Sequence, residues 1–228
     1  GSLVWPIDGQ PIAVKPGGQK SLNMCSDGEG GVYIIWKDIV EAMIYGTHIS
    51  FEDEILESGE GIPLMSSSTH ESSVSLETAG NGEAAMVWSD DRDGDMNIYG
   101  QRIKADHDEG TISTLWSSFE EGGKVICNAI GDQGSPKITY AYGCCGDQLG
   151  ITVAVWQDFR NESKDIYMQY LYSDGLPFFE ENGLEVCGII GDQTKPRVKA
   201  DASGAYVVWY DDRSNNDDIY AQKILMSA

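Results

Sequence analysis

A phrase recurs four times along this chain, and its spacing limits the fold more than any other feature. It reads WKDIVEAMIYGT from Trp36, WSDDRDGDMNIYGQ from Trp88, WQDFRNESKDIYMQ from Trp156 and WYDDRSNNDDIYAQ from Trp209. In the last three copies, counting from Trp, Asp stands at +2, Arg at +4, Ile at +10, Tyr at +11 and Gln at +13. Units recurring every ~50–70 residues cannot each bury a face alone and must stack on their neighbours.

Each unit reads outward from its tryptophan. The runs VYIIW, EAAMVW, ITVAVW and AYVVW are rich in β-branched and aromatic residues, as central strands are. A polar loop follows, and then a strand such as NIYGQRI, DIYMQYL or DIYAQKI, completing a hairpin. Upstream lie SLNMCS, SVSLET, PKITYAY and PRVKAD; a fourth strand is marked by a glycine three residues before an aliphatic side chain. Those pairs are Gly9 with Ile12, Gly61 with Leu64, Gly123 with Ile126 and Gly183 with Val186. Four short strands per unit predict an all-β fold, a four-bladed β-propeller of four-stranded antiparallel blades.

The units run over about 15–65, 66–127, 128–187 and 188–228 in one domain. The chain opens with a fourth-strand pattern, residues 3–14, and closes on a third. The sequence therefore predicts that the N-terminal strand completes the last blade and removes the open edges. A ring closed this way is a monomer; a two-chain, eight-bladed ring is the alternative.

The formal net charge of −22, from 37 acidic and 15 basic residues, argues against nucleic acid and anionic membrane surfaces. No apolar stretch is long enough to span a membrane. Five cysteines, Cys25, Cys127, Cys144, Cys145 and Cys187, leave at least one thiol unpaired within the chain. None forms a CxxC, and with three histidines a cysteine/histidine zinc site is poorly supported.

Within the phrase, offsets 0, +2 and +4 share one strand face, placing Arg92, Arg160 and Arg213 beside Asp90, Asp158 and Asp211. Unit one has Asp38 but Val40 where the others carry arginine. A catalytic site need occur once, whereas a fold-building contact recurs in every blade. These residues, with Tyr45, Tyr99, Tyr167 and Tyr220 and with Gln101, Gln169 and Gln222, are therefore read as structural. Trp36, Trp88, Trp156 and Trp209 are read as packing between sheets; turned outward, they would offer platforms for sugar rings.

The loop Asp90, Asp91, Asp93, Asp95 and Asn97 gathers oxygen side chains around Gly94 and is the candidate metal site, calcium being the cation it would suit. The final Glu of an EF-hand is absent. Asp211, Asp212, Asn215, Asn216, Asp217 and Asp218 form a second cluster, and Asp158, Asn161, Glu162 and Asp165 a sparser one. GDQGSP at Gly131 and GDQTKP at Gly191 read as turns entering a strand. His48, His70 and His107 fall outside the equivalent repeat positions. The insertion TYAYGCCGDQLG, with Cys144–Cys145, is the one lengthened loop.

The string from Gly183 to Ile224, G-x-x-V-C-x-x-x-G-D-Q-x-x-P-x-V-x-x-D-x-x-G-x-x-x-V-W-x-D-x-R followed by D-I-Y-A-Q, resembles repeats of bacterial secreted and cell-surface β-propeller proteins. That resemblance implies a propeller and an exported protein, extracellular or at the cell surface. It carries no assignment of catalytic residues, and sialidase-type Ser-x-Asp-x-Gly-x-x-Trp boxes are absent. No nucleophile-elbow, P-loop, dinucleotide or HExxH motif occurs. The first expectation is a non-catalytic recognition or scaffold module binding carbohydrate or protein. The alternatives are a glycan-processing hydrolase using paired carboxylates near the central channel and a self-assembling structural propeller.

Overall fold

The computed structural model of the chain describes residues 3–66, 74–142 and 150–225. His70 and the Cys144–Cys145 pair lie outside the described residues. The fold is an all-β propeller. Its first blade joins β1 (Gln19–Ser26), β2 (Val32–Asp38), β3 (Met43–Ile49) and β4 (Ile62–Ser66) in sequence order. The second runs β5 (Val74–Gly80), β6 (Glu83–Asp90) and β7 (Asn97–Asp106). Both β8 (Thr111–Thr114) and β9 (Lys124–Cys127) pair with the outer edge of β7. The third comprises β10 (Gln133–Ala141), β11 (Ile151–Asp158), β12 (Asp165–Leu171) and β13 (Leu184–Cys187). The fourth shows β14 (Gln193–Asp201), β15 (Gly204–Asp211) and β16 (Asp218–Leu225).

Neighbouring strands pair antiparallel, and the hairpin register sets Trp opposite Tyr in every blade: Trp36 with Tyr45, Trp88 with Tyr99, Trp156 with Tyr167, Trp209 with Tyr220. The first strands of successive blades pack on one another, β1 on β5, β5 on β10 and β10 on β14, so they line the axis. Alternation along the central strand then decides which junction each residue fills. Tyr33 and Ile35 meet Leu76, Met86 and Trp88; Ala85 and Val87 meet Ile138, Ala154 and Trp156; Val153 and Val155 meet Val198, Val207 and Trp209. Each tryptophan on β6, β11 and β15 thus points back toward the preceding blade.

The glycine that opens the fourth strand has a steric reason. Gly61, Gly123 and Gly183 take positive φ angles of 74°, 103° and 84°. A Cβ at each would overlap the indole of its own blade, Trp36, Trp88 or Trp156. The outer strand can cross the large buried ring only where it has no side chain.

The predicted pairing of residues 3–14 with the last blade does not form. The Gly59 amide donates to the Ile12 carbonyl at 2.9 Å and the Val14 amide to the Gly59 carbonyl at 2.8 Å, which ties this segment to the first blade. The cause lies in the defect of unit one. Arg92, Arg160 and Arg213 stand 4.5, 3.8 and 3.9 Å above the rings of Tyr99, Tyr167 and Tyr220. The first blade has Val40 instead, and Lys15 of the N-terminal segment stands 4.1 Å above Tyr45 and 3.0 Å from Glu41. The missing cation is supplied from outside the hairpin, and it brings its segment with it.

Candidate functional site

At one end of the propeller the repeated phrase closes into a latch. Asp158 accepts the Arg160 backbone N–H at 3.0 Å, its Nε at 2.9 Å, its Nη2 at 2.6 Å and the Trp156 Nε1 at 2.9 Å. Arg160 also reaches the Cys127 sulfur of the preceding blade at 3.3 Å and the Asn182 carbonyl of its own outer strand at 3.0 Å. Arg213 repeats this on Asp211 and on Cys187, 3.5 Å away. Its guanidinium pulls the Asp211 carboxyl down to about 2. Arg92 binds Asp90 at 2.7 Å, the Gly122 carbonyl at 2.9 Å and Ser66 of the first blade at 3.3 Å. Planar, bidentate donors suit a contact that must tie three segments together. The four tryptophans of the repeated phrase are buried and stack on their tyrosines, with ring centroids 6.1–6.4 Å apart, so none stands out as an exposed platform. Gln101 and Gln169 hold the following loops: each side-chain carbonyl accepts from a loop amide, Trp116 or Phe179, and each Nε2 donates to a loop carbonyl.

The GDQ phrases do more than turn the chain. The Gln133 amide donates to the Met96 carbonyl and Asp132 accepts the Met96 amide, so unit three is stitched to the hairpin loop of unit two. Gln193 and Asp192 repeat both bonds on Lys164. Three of the four axial strands then break register at equivalent places. Shifts fall between Lys20 and Asn23, Gly134 and Lys137, and Thr194 and Arg197, with Ser21, Ser135 and Lys195 at positive φ of 54°, 52° and 52°. Bulges of this kind re-aim side chains beside functional sites.

Between the hairpin loops of blades two and three lies a groove of about 340 Å³, lined among others by Met96, Asp132, Gln157, Asp158, Phe159 and Lys164. Asp158 is buried in the latch, whereas Asp132 is exposed and Phe159 presents 45% of its surface. Beneath it, Asp165 faces Asp158 across the hairpin. Burial pushes the Asp165 carboxyl above its ordinary range against the lowering effect of Asn161 and Ser163, while Glu185 and Asp158 push the same way as burial. The groove therefore combines one exposed carboxylate, an aromatic ring and a floor of fixed charge.

The side chains of the candidate calcium loop turn to separate partners. Asp90 binds Arg92, Asp93 accepts the Tyr99 hydroxyl at 2.5 Å, and Asp95 accepts the Gly131 amide at 3.3 Å. Asn97 is buried with its Oδ1 unpartnered. Among the described residues no three carboxylate, histidine or cysteine side chains converge as a cation cage would require. In this arrangement the oxygens of Asp90, Asp93 and Asp95 are held by protein partners rather than gathered about one point.

Two histidines that look incidental in the sequence meet between blades one and two. Asp27 accepts the backbone N–H groups of Glu29 and Gly31 and sits 3.0 Å from His48 Nε2. An Nε2–H donor there leaves Nδ1 as the acceptor, 2.9 Å from His107 Nε2. The far nitrogen of His107 lies 3.9 Å from Glu54, and the Tyr33 ring packs on His48 at 4.5 Å. Unit one is two residues shorter than the others between its tryptophan and its tyrosine, Trp36 to Tyr45 against Trp88 to Tyr99, and this hides the signal. Realigned on Tyr45, His48 takes the place of Arg102, Tyr170 and Lys223, the position that reaches across to the next blade.

Burial, with the charge of His107 as a smaller contribution, holds His48 below its ordinary value despite Asp27. Unfolding therefore takes up a proton: stability is full above about 6.5 and falls as pH drops through that value. The melting temperature should be lower at pH 5.5 than at pH 7.5, and His48→Gln should flatten that difference; an unchanged slope in the variant would exclude His48 as its source. Cys25, Cys127 and Cys187 are free thiols, and burial pushes the first two up to about 12, far from a reactive thiolate.

No family model and no curated protein matches the chain. Among solved structures, it is similar to an α-L-arabinofuranosidase from Lactobacillus brevis at 10% identity and a TM-score of 0.51, over 95% of this chain and 71% of that one. An endo-1,4-β-xylanase from Bacteroides thetaiotaomicron follows at 11% identity and TM-score 0.46, over 94% and 74%. An endo-arabinase from the same organism matches at 14% and 0.42, over 90% and 75%. The fold is shared with an arabinofuranosidase rather than with a known recognition module, so the expectation of a non-catalytic recognition or scaffold module is corrected, and the glycan-hydrolase alternative is taken up below as a proposal.

Proposed function

We propose that the chain is a glycan-processing hydrolase working in the groove between its second and third blades, in an extracellular or cell-surface setting. The observation that carries this reading is the pairing of the exposed Asp132 carboxylate with the exposed Phe159 ring in one groove. An aromatic face beside a carboxylate suits a sugar ring, whose apolar face stacks while its hydroxyls and glycosidic oxygen meet polar groups. Hydrolysis needs one carboxyl to protonate the leaving oxygen and one to serve water or the anomeric carbon. The groove supplies a solvent-open carboxylate for one of these roles, Asp132, while its other lining carboxylate, Asp158, is held in the latch, so the second carboxyl is the part the assay must locate. The likeness to an arabinofuranosidase makes arabinofuranoside linkages the first substrate class to assay.

The test measures sugar release from arabinan, xylan and aryl arabinofuranosides by the chain and by Asp132→Asn. The variant keeps an oxygen for the Met96 amide and should fold as before. Loss of kcat/KM by about 100-fold or more at unchanged melting temperature is expected. Absence of release from every substrate, or full activity in Asp132→Asn, would contradict the reading.

A further inference from the structure

The junction chemistry made three times inside the chain stops short at both ends. Met24 on β1 occupies the place of Leu76, Ile138 and Val198, set by their register opposite Ile34, Met86, Ala154 and Val207. The other three are buried in the cores between blades, but Met24 is 64% exposed and Leu22 beside it is 72% exposed. With Ile12, Ile34 and Trp36 they line an open cavity of about 360 Å³.

On the fourth blade, Tyr206 and Val208 stand where Tyr33 and Ile35, Ala85 and Val87, and Val153 and Val155 are all buried. Here they are 45% and 38% exposed, next to Tyr210 and Ile219. Terminal units of repeat proteins ordinarily end in polar faces. These two faces are largely apolar, with Lys223 4.8 Å above the Tyr206 ring and Lys195 5.5 Å above that of Tyr210, and they are the two complementary halves of one interface.

We propose that they dock a further blade of the same repeat. The partner is an antiparallel sheet whose tryptophan-bearing back packs on Tyr206 and Val208 and whose aliphatic front packs on Met24 and Leu22. This continues the interface that joins blades one to two, two to three and three to four. A second copy of the whole chain fits less well. Lys199 on β14 reaches Glu77 on β5 at 3.0 Å, so blades two and four already meet across the axis. The exposed faces of blades one and four each match one side of a single blade junction, which one added sheet fills by itself.

The test extends the chain at its C-terminus by one added repeat copied from residues 173–225. A control extension carries Trp209→Asp within the added copy. The melting temperature should rise by about 5 °C or more with the native extension and not with the control, and Val208→Asp in the parent blade should abolish the rise. Equal melting points for both extensions would overturn the proposal.

The unextended chain gives an independent reading. It should bind an apolar dye, and Met24→Asp with Val208→Asp should cut that binding at least twofold without lowering the melting point. A steep fall in melting point would show that the chain already covers these faces itself. A concentration-dependent dimer dissolved by the same two changes would show that a second copy covers them. Either result would overturn the single-blade partner.

Discussion

Asp158→Ala is expected to destabilise the chain by about 3–5 kcal/mol, the cost of breaking a buried ion pair from one side. Asp158 is buried and receives four hydrogen bonds from Arg160 and Trp156. Its loss leaves a guanidinium, only 18% exposed, held against Cys127 and Asn182 without its counter-charge, and an indole N–H inside the core without its acceptor. Asp38→Ala is the internal comparison. Asp38 is equally buried but accepts from Gln19 and the amides of Val40 and Glu41, with no arginine in attendance. That variant strands no buried charge, so its cost should be on the order of 1–2 kcal/mol. Denaturant unfolding of both variants measures the difference, and equal losses would show that the arginine adds nothing.

The second large effect is expected at a residue with no side chain. Gly123→Ala should cost about 3 kcal/mol or more, because two penalties coincide. The backbone there sits at φ of 103°, and the new methyl would overlap the buried ring of Trp88. Gly94→Ala separates the two. Gly94 has a φ of 109°, and no atom lies within 4 Å of the place an added methyl would take, so it should carry only the backbone strain, about 1 kcal/mol. Similar melting points for the two variants would mean that the Gly123–Trp88 contact does not limit the packing of the outer strand.

Much of the blade is legible because its signals are local and repeated. Alternation marks the central strands, the offsets of 0, +2 and +4 put each arginine beside its aspartate, and Gly123 with Ile126 marks the outer strand without showing why. Elements that depend on contacts between distant residues stay hidden. Nothing near Lys15 says that it will replace an arginine lost at position 40, so the strand pattern assigns the N-terminal segment to the wrong blade. β8 and β9 both pair with β7, a doubling that arises in the long stretch after Asp106 and shrinks to single bridges, Ile49 with Ile55 and Leu171 with Pro177, in the first and third blades. His48 and His107 come together only because the shorter Trp36-to-Tyr45 stretch of unit one puts His48 at a junction position.

The candidate site is the least legible part. The carboxylate-rich Asp90 loop draws attention by composition, yet its acids are spent on Arg92, Tyr99 and Gly131. Asp132, which reads in the sequence as part of a turn, is the one left facing a groove. Composition counts acids; the register of the stitches shows which of them line a groove.

The measurement closest to the core of this picture is a double-mutant cycle on Asp158 and Arg160, read by denaturant unfolding. Each single alanine variant should lose several kcal/mol, and the double variant should lose little more than Asp158→Ala alone. That gives a coupling of about 2 kcal/mol or more for two residues acting as one latch. Single variants within about 0.5 kcal/mol of the parent, or losses that simply add, would contradict the reading of the repeated phrase as the device that joins the blades.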